Sequence, residues 1–201
     1  DYKKYKPQTT YIAYGADIVD NNDEEKFTNW SKEHNVQKNE YYLIVGRFVP
    51  ENNYETMIKE FMSSNTKKDL IIVTDYQNNK LYHNLDNKYH FTSDARIKFV
   101  GTIYDDSLLK SVRMNAFAYL HGHEVGGTNP SLLEALGSTK LNLLLNVGFN
   151  QEVGIDTCIY WGKEKGNLKK LIEHVETFDQ DYIDTLGKEA KNRILEAYSW
   201  K

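Results

Sequence analysis

The sequence predicts an α/β fold built on one doubly wound, mostly parallel sheet of six strands. Six short runs of consecutive apolar residues are typical of strands that are covered on both faces of a sheet. Stretches with helical spacing separate nearly all of these runs, and this alternation implies parallel strands joined by right-handed crossovers. The chain has 201 residues, which fits one large domain or one domain plus extras, and its 40% of hydrophobic residues is enough for a sizeable core.

The predicted elements follow one another regularly along the chain. The strands are YYLIVG (41–46), DLIIVTD (69–75), RIKFVG (96–101), AFAYLH (116–121), KLNLLLN (140–146) and TCIYW (157–161). The helices cover 51–64, about 77–90, 105–116, 130–138, 163–178 and 180–200, with a short turn at 150–154.

Residues 1–23 have a different pattern. TTYIAYGADIVDNND contains one expected strand and then a turn-rich linker, and a helix is predicted from about Asp23, as its cap, to His34. Because this segment precedes the first strand of the sheet and has no partner of its own, we expect an arm or interdomain connector over 1–23. The main domain is expected over 24–201.

The composition argues against several classes of protein. A net charge of −4 gives no sign of the basic face that nucleic-acid binding requires. No apolar run approaches the roughly 20 residues that cross a bilayer, and the opening DYKKYKPQTT lacks the apolar core of a signal peptide. The single Cys158 cannot form an internal disulfide, so a reducing cytoplasmic setting is expected, and its apolar surroundings indicate a buried, inert thiol.

The loops that follow the strands are the candidates for function, because ligands bind beyond the carboxyl ends of parallel strands, near the point where strand order reverses. After the first strand, Gly46 permits a close turn and Arg47 offers a planar guanidinium suited to phosphate oxygens. An ordinary surface arginine would give the same pattern. Pro50 ends the turn, and Asn52 or Asn53 is expected to cap the next helix.

In the loop after the third strand, the candidate ligand contacts are backbone groups and not charged side chains. Gly101 allows close approach of a ligand, and the backbone of Thr102 and Ile103 could meet a flat group such as a base. Asp105 or Asp106 is expected to cap the following helix.

The segment GGTNP (126–130) opens a predicted helix. Gly126 and Gly127 leave the backbone bare ahead of Pro130, which suits the first helical position, with Thr128 or Asn129 as the cap. Exposed N–H groups and the helix dipole make this entrance a candidate anion site.

One carboxylate lies inside that helix. Leu132, Leu133 and Leu136 are expected to face the core, which leaves Glu134 on the other side among small residues. A carboxylate that a ligand can reach accepts two hydroxyl hydrogen bonds, as from a ribose diol, although a solvated helix glutamate is the alternative.

His121, His123 and Glu124 follow the fourth strand. Strand alternation puts both histidines on one face, where they suit a metal, a sugar or structural hydrogen bonds. Because no further His or Cys cluster joins them, no metal site is predicted.

Taken together, these loops resemble the C-terminal domain of retaining GT-B glycosyltransferases of family four. The order strand–GRFVPE–helix, then RIKFVG, then DDSLLKSVRMNAFAYLHGHEVGGTNPSLLEALGS carries the likeness, over roughly residues 9–201. HGHEVGGTNPSLLEA is particularly similar to bacterial rhamnosyltransferases that build capsular or exopolysaccharide repeat units. The resemblance implies that the sheet is one half of a GT-B fold.

The same resemblance implies roles for the loop residues. Arg47 would grip the donor diphosphate, the amides near Gly127 would receive phosphate or sugar oxygens, and Glu134 would bind ribose. Backbone around Gly101 would frame the base. The implied donor site comprises Gly46, Arg47, Gly101, Thr102, Ile103, His123, Gly126, Gly127, Thr128, Asn129 and Glu134, with Arg47 and Glu124 in catalytic roles.

The sequence departs from the family pattern in two places. The Lys-Gly pair that usually follows Gly-Arg-x-x-Pro-Glu is replaced by Asn52 and Asn53, so one phosphate-directed positive charge is missing. The family also pairs two glutamates with seven residues between them, and the position that pairs with Glu134 is Gly126. Glu124 lies two residues earlier, so it would reach the sugar only by a different loop path.

For the parent protein, the resemblance implies transfer of L-rhamnose from dTDP-rhamnose to a lipid-linked saccharide, with retention and without a metal or further cofactor. The acceptor would bind an N-terminal domain missing from this chain, so the isolated chain is expected to be inactive. A cytoplasmic protein is implied, and peripheral attachment to the inner face of the membrane is left open. The alternatives are a non-catalytic nucleotide-binding or partner-docking module, or a hexosyltransferase that uses another sugar nucleotide.

Overall fold

The computed structural model of the protein describes residues 8, 14–16, 18 and 22–199. Within them, the strands are β1 (Tyr41–Val45), β2 (Asp69–Val73), β3 (Ile97–Gly101), β4 (Ala118–His121), β5 (Asn142–Leu145) and β6 (Ile159–Trp161). The α-helices are α1 (Glu24–Glu33), α2 (Tyr54–Ser63), α3 (Lys80–Tyr89), α4 (Asp106–Met114), α5 (Pro130–Leu136), α6 (Gly148–Gly154), α7 (Asn167–Val175) and α8 (Gln180–Ala197). Short 3-10 turns occupy Pro50–Asn52, Phe91–Ser93 and Ile155–Thr157.

The six strands form one sheet in the order β3-β2-β1-β4-β5-β6, and every neighbouring pair is parallel. The chain therefore builds outward from β1 to β3 and then returns to β4 on the other side of β1. This confirms the predicted doubly wound sheet. The β1/β4 boundary is the topological switch point, where a crevice opens between loops that run in opposite directions.

Core residues alternate between the two faces of the sheet, as the continuous apolar runs predict. In β1, Tyr42 and Ile44 contribute to one core cluster, and Tyr41 and Leu43 contribute to another on the opposite face. Buried residues of α2, α3 and α7 cover the first face. Those of α1, α4 and α5 cover the other, and α8 contributes Ile183 and Leu186 to the first face and Ala190 and Ile194 to the second.

Three strands, β1, β2 and β5, end one or two residues before their predicted runs do, whereas β3, β4 and β6 end where predicted. β2 stops at Val73 and β5 at Leu145, two residues and one residue before the predicted ends, and the remaining residues belong to the loops. The short turn predicted at 150–154 is wrong: a helix already begins at Gly148, because the amide of Gln151 donates to the carbonyl of Val147.

Three predicted caps are confirmed and one is wrong. The side chains of Asp23, Asp105 and Asn129 accept from backbone amides at the starts of α1, α4 and α5. Neither Asn52 nor Asn53 caps α2 with its side chain. Asn53 lies at the N-cap position but has a left-handed backbone, with φ 54°, so its amide group is directed elsewhere.

The predicted N-terminal strand and connector lie largely outside the described residues. Where the segment is described, Ala16 is buried and its amide donates to the carbonyl of Tyr198 at 2.8 Å. Cys158 is buried as expected, and burial raises the pKa of its thiol to about 12. None of the helices in the described part of the chain is long and apolar enough to span a membrane.

Candidate functional site

A crevice of about 260 Å³ opens at the β1/β4 switch point. Its walls are the strand ends, the loops after β1 and β4, and the first turn of α5. Of the predicted site residues, Gly46, Arg47, His123 and Asn129 line it. The fold thus brings together loops that are more than 70 residues apart in the chain, at the place where open parallel sheets bind ligands.

A second hollow of about 480 Å³ adjoins this crevice, at the carboxyl ends of β1, β2 and β3. Thr102 and Ile103 line it as predicted, together with Thr74. Val45, Gly46 and Arg47 line both the crevice and this hollow, so the two meet at the end of β1. The loop begins at Gly101 with φ +75°, a backbone conformation that residues other than glycine rarely adopt.

A third hollow of about 210 Å³ lies between α4 and α5. Glu134 lines it with Arg113 and Ser138, and Leu109 is common to this hollow and the second one. Arg47, the Thr102–Ile103 backbone and Glu134, predicted to hold phosphate, base and ribose, therefore line three different hollows, whereas Gly126, Gly127 and Thr128 line none of them.

The loops after β1 and β4 are joined by asparagine side chains that the sequence gave no reason to pair. Nδ2 of Asn52 donates to the carbonyl of Arg47 at 2.7 Å, and its Oδ1 lies 2.7 Å from Nδ1 of His123. Nδ2 of Asn53 donates to the carbonyl of Gly122 at 2.8 Å. The asparagines that replace the family's Lys-Gly pair thus hold the two walls of the crevice together.

Both histidines line the crevice, and burial lowers the pKa of each. His121 is buried, and Nε2 has no hydrogen-bond partner among the described residues. Burial, with a smaller contribution from His123, lowers the pKa of His121 to about 3. Burial also lowers the pKa of His123, and the charge of Arg47 acts in the same direction. Nδ1 of His123 faces Oδ1 of Asn52, and a backbone hydrogen bond with Val125 acts to raise the pKa of the ring against the effect of burial.

The first turn of α5 does not offer the free amides that were expected. Oδ1 of Asn129 accepts from the amides of Ser131 at 2.9 Å and Leu132 at 3.4 Å. Pro130 has no N–H group. The prediction of exposed helix N–H groups is therefore wrong, because the cap satisfies them.

The preceding loop retains available backbone donors. Gly126, with φ +115°, and Gly127 are exposed, and within the described part of the chain neither amide donates to another protein group. A Cβ atom added at Gly127 would meet nothing within 4 Å, so this backbone is open to a ligand. An anion bound at this entrance would therefore contact the amides of the glycine loop and not those of the first turn of α5.

The two glutamates have different partners. Glu124 pairs with Lys163 of the loop before α7, and this contact is the main reason why its pKa is lowered. Glu124 is not among the residues that line the crevice. Oε2 of Glu134 lies 2.6 Å from Nη2 of Arg113, whose side chain is only 5% exposed. Sequence reasoning missed Arg113, although a cation within the apolar LLKSVRM helix was a visible signal.

A hydroxyl pair anchors α5 beside the crevice. The hydroxyl of Tyr119 lies 3.1 Å from Oγ of Ser131, which in turn donates to the carbonyl of Val45 at 3.2 Å. Sequence reasoning also missed these two residues. In the described ranges, no group of three or more His, Cys, Asp or Glu side chains is arranged to hold a metal ion.

Neither protein-family models nor curated protein sequences match this chain. Solved structures do match its fold. A glycosyltransferase from Rickettsia africae superposes with a TM-score of 0.79 at 14% identity, over 94% of this chain and 52% of that one. HepE from Anabaena, in complex with UDP, gives a TM-score of 0.70 at 15% identity, over 87% of this chain and 49% of that one.

A third structure corresponds to a single domain. The C-terminal domain of a group 1 family glycosyl transferase (LpcC) from Francisella tularensis gives a TM-score of 0.68 at 14% identity, over 94% of this chain and 96% of that one. The chain therefore spans about half the length of the first two structures and nearly the whole of this domain. At such identities the likeness shows the fold, which is the Rossmann-like domain found in these glycosyltransferases.

Proposed function

We propose that this chain is the sugar-nucleotide-binding domain of a glycosyltransferase. The observation that carries the proposal is the position of Arg47 at the junction of the switch-point crevice and the second hollow. The fold shared with glycosyltransferases, one of them solved with UDP, supports the same assignment.

The diphosphate is assigned to the crevice. Arg47 supplies a guanidinium that can bind two phosphate oxygens at once, and the exposed amides of Gly126 and Gly127, in the loop after β4, supply neutral donors. Asn52, where the family has a lysine, adds no charge but fixes the loop that carries Arg47. When the bond between the sugar and the diphosphate breaks, the electron pair leaves on the diphosphate oxygen, and these groups stabilise that charge.

The nucleoside is assigned to the other two hollows. The base would lie against the backbone of Thr102 and Ile103, and the ribose near Glu134. His123, whose Nδ1 is held by Asn52, lines the crevice and would lie against the sugar. Glu124 remains in the proposal as a sugar contact only if it leaves Lys163 when the donor binds.

The finer proposal concerns the reaction of the parent protein. We propose transfer of L-rhamnose from dTDP-rhamnose to a lipid-linked saccharide with retention of configuration, with the acceptor held by a second domain. The support is the resemblance of HGHEVGGTNPSLLEA to rhamnosyltransferases of polysaccharide assembly. No metal or further cofactor enters this proposal, because Arg47 and the loop amides take the electrostatic role.

Calorimetric titration of the purified chain with UDP, dTDP and GDP tests donor binding. We expect at least one of them to bind, and Arg47→Ala to weaken that binding about tenfold to a hundredfold, as for loss of a charged hydrogen bond. Arg193→Ala, on α8, is the matched control and should bind as the unsubstituted chain does. A folded chain that binds none of the three nucleotides would contradict the proposal.

A second candidate is a nucleotide-binding module without activity. The pairing of Glu124 with Lys163 and the absence of a glutamate at Gly126 favour it. Donor transfer or hydrolysis by the full-length protein separates the two. An enzyme should lose its activity in Arg47→Ala and Glu134→Ala, whereas a module that binds nucleotide would show no turnover in any form.

A further inference from the structure

Arg113 lies almost completely buried behind Glu134 in the hollow between α4 and α5. Its side chain is 5% exposed and that of Glu134 is 49% exposed, with 2.6 Å between Nη2 and Oε2. Nε of Arg113 is buried without a hydrogen-bond partner among the described residues. Among the described residues, Glu134 is the carboxylate that pairs with Arg113. A buried cation holds such a partner firmly, because separating the two leaves an uncompensated charge in the interior.

The other oxygen of Glu134 is uncommitted. In the described part of the chain no protein group hydrogen-bonds to Oε1, and the half-exposed carboxylate lines the hollow. Asp106 and Lys110 of α4 also line this hollow, so the pair has a polar rim. With Oε2 held by Arg113, the carboxylate presents one fixed acceptor to a ligand and not a freely rotating pair of oxygens.

We propose that Arg113 is a positioning residue, which presents Oε1 of Glu134 to a single hydroxyl of the bound nucleoside. The 3′-hydroxyl is the only ring hydroxyl present in both ribonucleotides and 2′-deoxyribonucleotides, so it is the one assigned. The site then binds deoxyribose as readily as ribose, as a dTDP-sugar donor requires. This inference rests on the proposed function, because it assumes that the adjoining hollows hold a nucleoside diphosphate.

The test removes ligand hydroxyls one at a time while the base stays constant. UDP, dUDP and 2′,3′-dideoxy-UDP are titrated into the chain by calorimetry. We expect UDP and dUDP to bind within about twofold of one another, and dideoxy-UDP about tenfold more weakly, as for loss of a hydrogen bond to a charged group. A dUDP affinity more than tenfold below that of UDP would overturn the single-hydroxyl assignment.

The role of Arg113 is tested by the same ligands with Arg113→Met. If Arg113 orients Glu134, the tenfold preference for dUDP over dideoxy-UDP shrinks to below about twofold, because Glu134 no longer holds its acceptor in place. A purely structural role would weaken all three ligands equally and leave the ratios unchanged. Arg113→Lys keeps the charge and should recover part of the preference. If Arg113→Met does not fold, the role of Arg113 is decided by the preference for dUDP over dideoxy-UDP in Arg113→Lys, compared with that of the unsubstituted chain.

Lys140→Met is the matched control, since it breaks an ion pair of 2.7 Å with Asp184 away from the hollow. It should leave all three affinities unchanged. If Arg113→Met keeps the full hydroxyl preference, the inference is wrong while the proposed function stands. If the unsubstituted chain binds no nucleotide, the proposed function itself fails.

Discussion

Oδ1 of Asn52 lies 2.7 Å from Nδ1 of His123, and the same side chain donates through Nδ2 to the carbonyl of Arg47. One neutral amide thereby connects the loop after β1 to the loop after β4. The crevice is thus held open at the width set by this bridge, with Arg47 on one wall and His123 on the other.

Replacing Asn52 by alanine should loosen that crevice. We expect Asn52→Ala to weaken nucleotide diphosphate binding about threefold to tenfold, because Arg47 loses the contact that fixes its backbone. Calorimetric titration measures the loss. Asn78→Ala, an exposed loop asparagine, is the control and should bind normally. Unchanged affinity in Asn52→Ala would mean that the bridge does not organise the binding groups.

Gly122 marks the closest approach of the two loops. A Cβ atom there would lie 2.9 Å from Cε of Met57 and still nearer to the carbonyl oxygen of Asn52. We expect Gly122→Ala to lower the free energy of unfolding by about 1–3 kcal/mol, as overpacking of a tight contact does.

Gly127→Ala provides the contrast, since a Cβ at that position meets nothing within 4 Å. Its free energy of unfolding should change by less than about 0.5 kcal/mol. Urea denaturation of both variants measures the difference, and equal stabilities would contradict the close approach.

The buried His121 makes the fold sensitive to acid. Its pKa is about 3 in the folded chain, well below the 6.5 that is usual for histidine, so the unfolded chain binds the proton more readily. The full contribution of His121 to the free energy of unfolding is therefore present above pH 6.5. It is lost as the pH falls toward 3, at about 1.4 kcal/mol per pH unit. Between pH 6.5 and 5 this amounts to roughly 2 kcal/mol.

Denaturation of His121→Gln at the two pH values checks the effect. The variant should lose much less stability on acidification than the unsubstituted chain, whereas His83→Gln, at an exposed position, should behave as the unsubstituted chain does. The same loss in all three proteins would assign the acid sensitivity to other groups.

Ile155 has a backbone conformation that its side chain disfavours. At the end of α6 it has φ 43° and ψ −129°, a region in which a β-branched residue is strained. Its side chain is 43% exposed, so little packing is lost on removal. We expect Ile155→Gly to raise the free energy of unfolding by about 1 kcal/mol.

Ile155→Ala is the control, because it retains the Cβ atom that causes the strain and should bring no such gain. Urea midpoints compare the two. If glycine is no better than alanine, the conformation is not strained.

The fold was predictable because its signals are local and repeated. Continuous apolar runs such as DLIIV mark strands buried on both faces, and helices between them require parallel pairing. The caps Asp23, Asp105 and Asn129 were predictable for the same reason, since a cap bonds only to the next turn. The α6 helix was missed because GFNQEVG is too short and polar to show a period.

The site was predictable only in its outline. Arg47, His123 and Asn129 were placed in the loops that meet at the crevice, as the topology requires. The hydrogen-bond partners of the side chains could not be predicted, because Asn52 and His123 are 71 residues apart and no local pattern relates them. Arg113 was missed for the same reason, since its carboxylate partner is on the next helix.

By itself, the sequence determined the order of strands and helices, because hydrophobic burial acts through periods of two and 3.6 residues that any short segment displays. Only the tertiary structure decided that Asn52 joins the carbonyl of Arg47 to the ring of His123 across the crevice. The tertiary structure also decided that Arg113 pairs with Glu134 and that Lys163 pairs with Glu124. Such polar contacts depend on ångström-scale distances between segments that are remote in the sequence, and these distances are fixed only when the whole domain has folded.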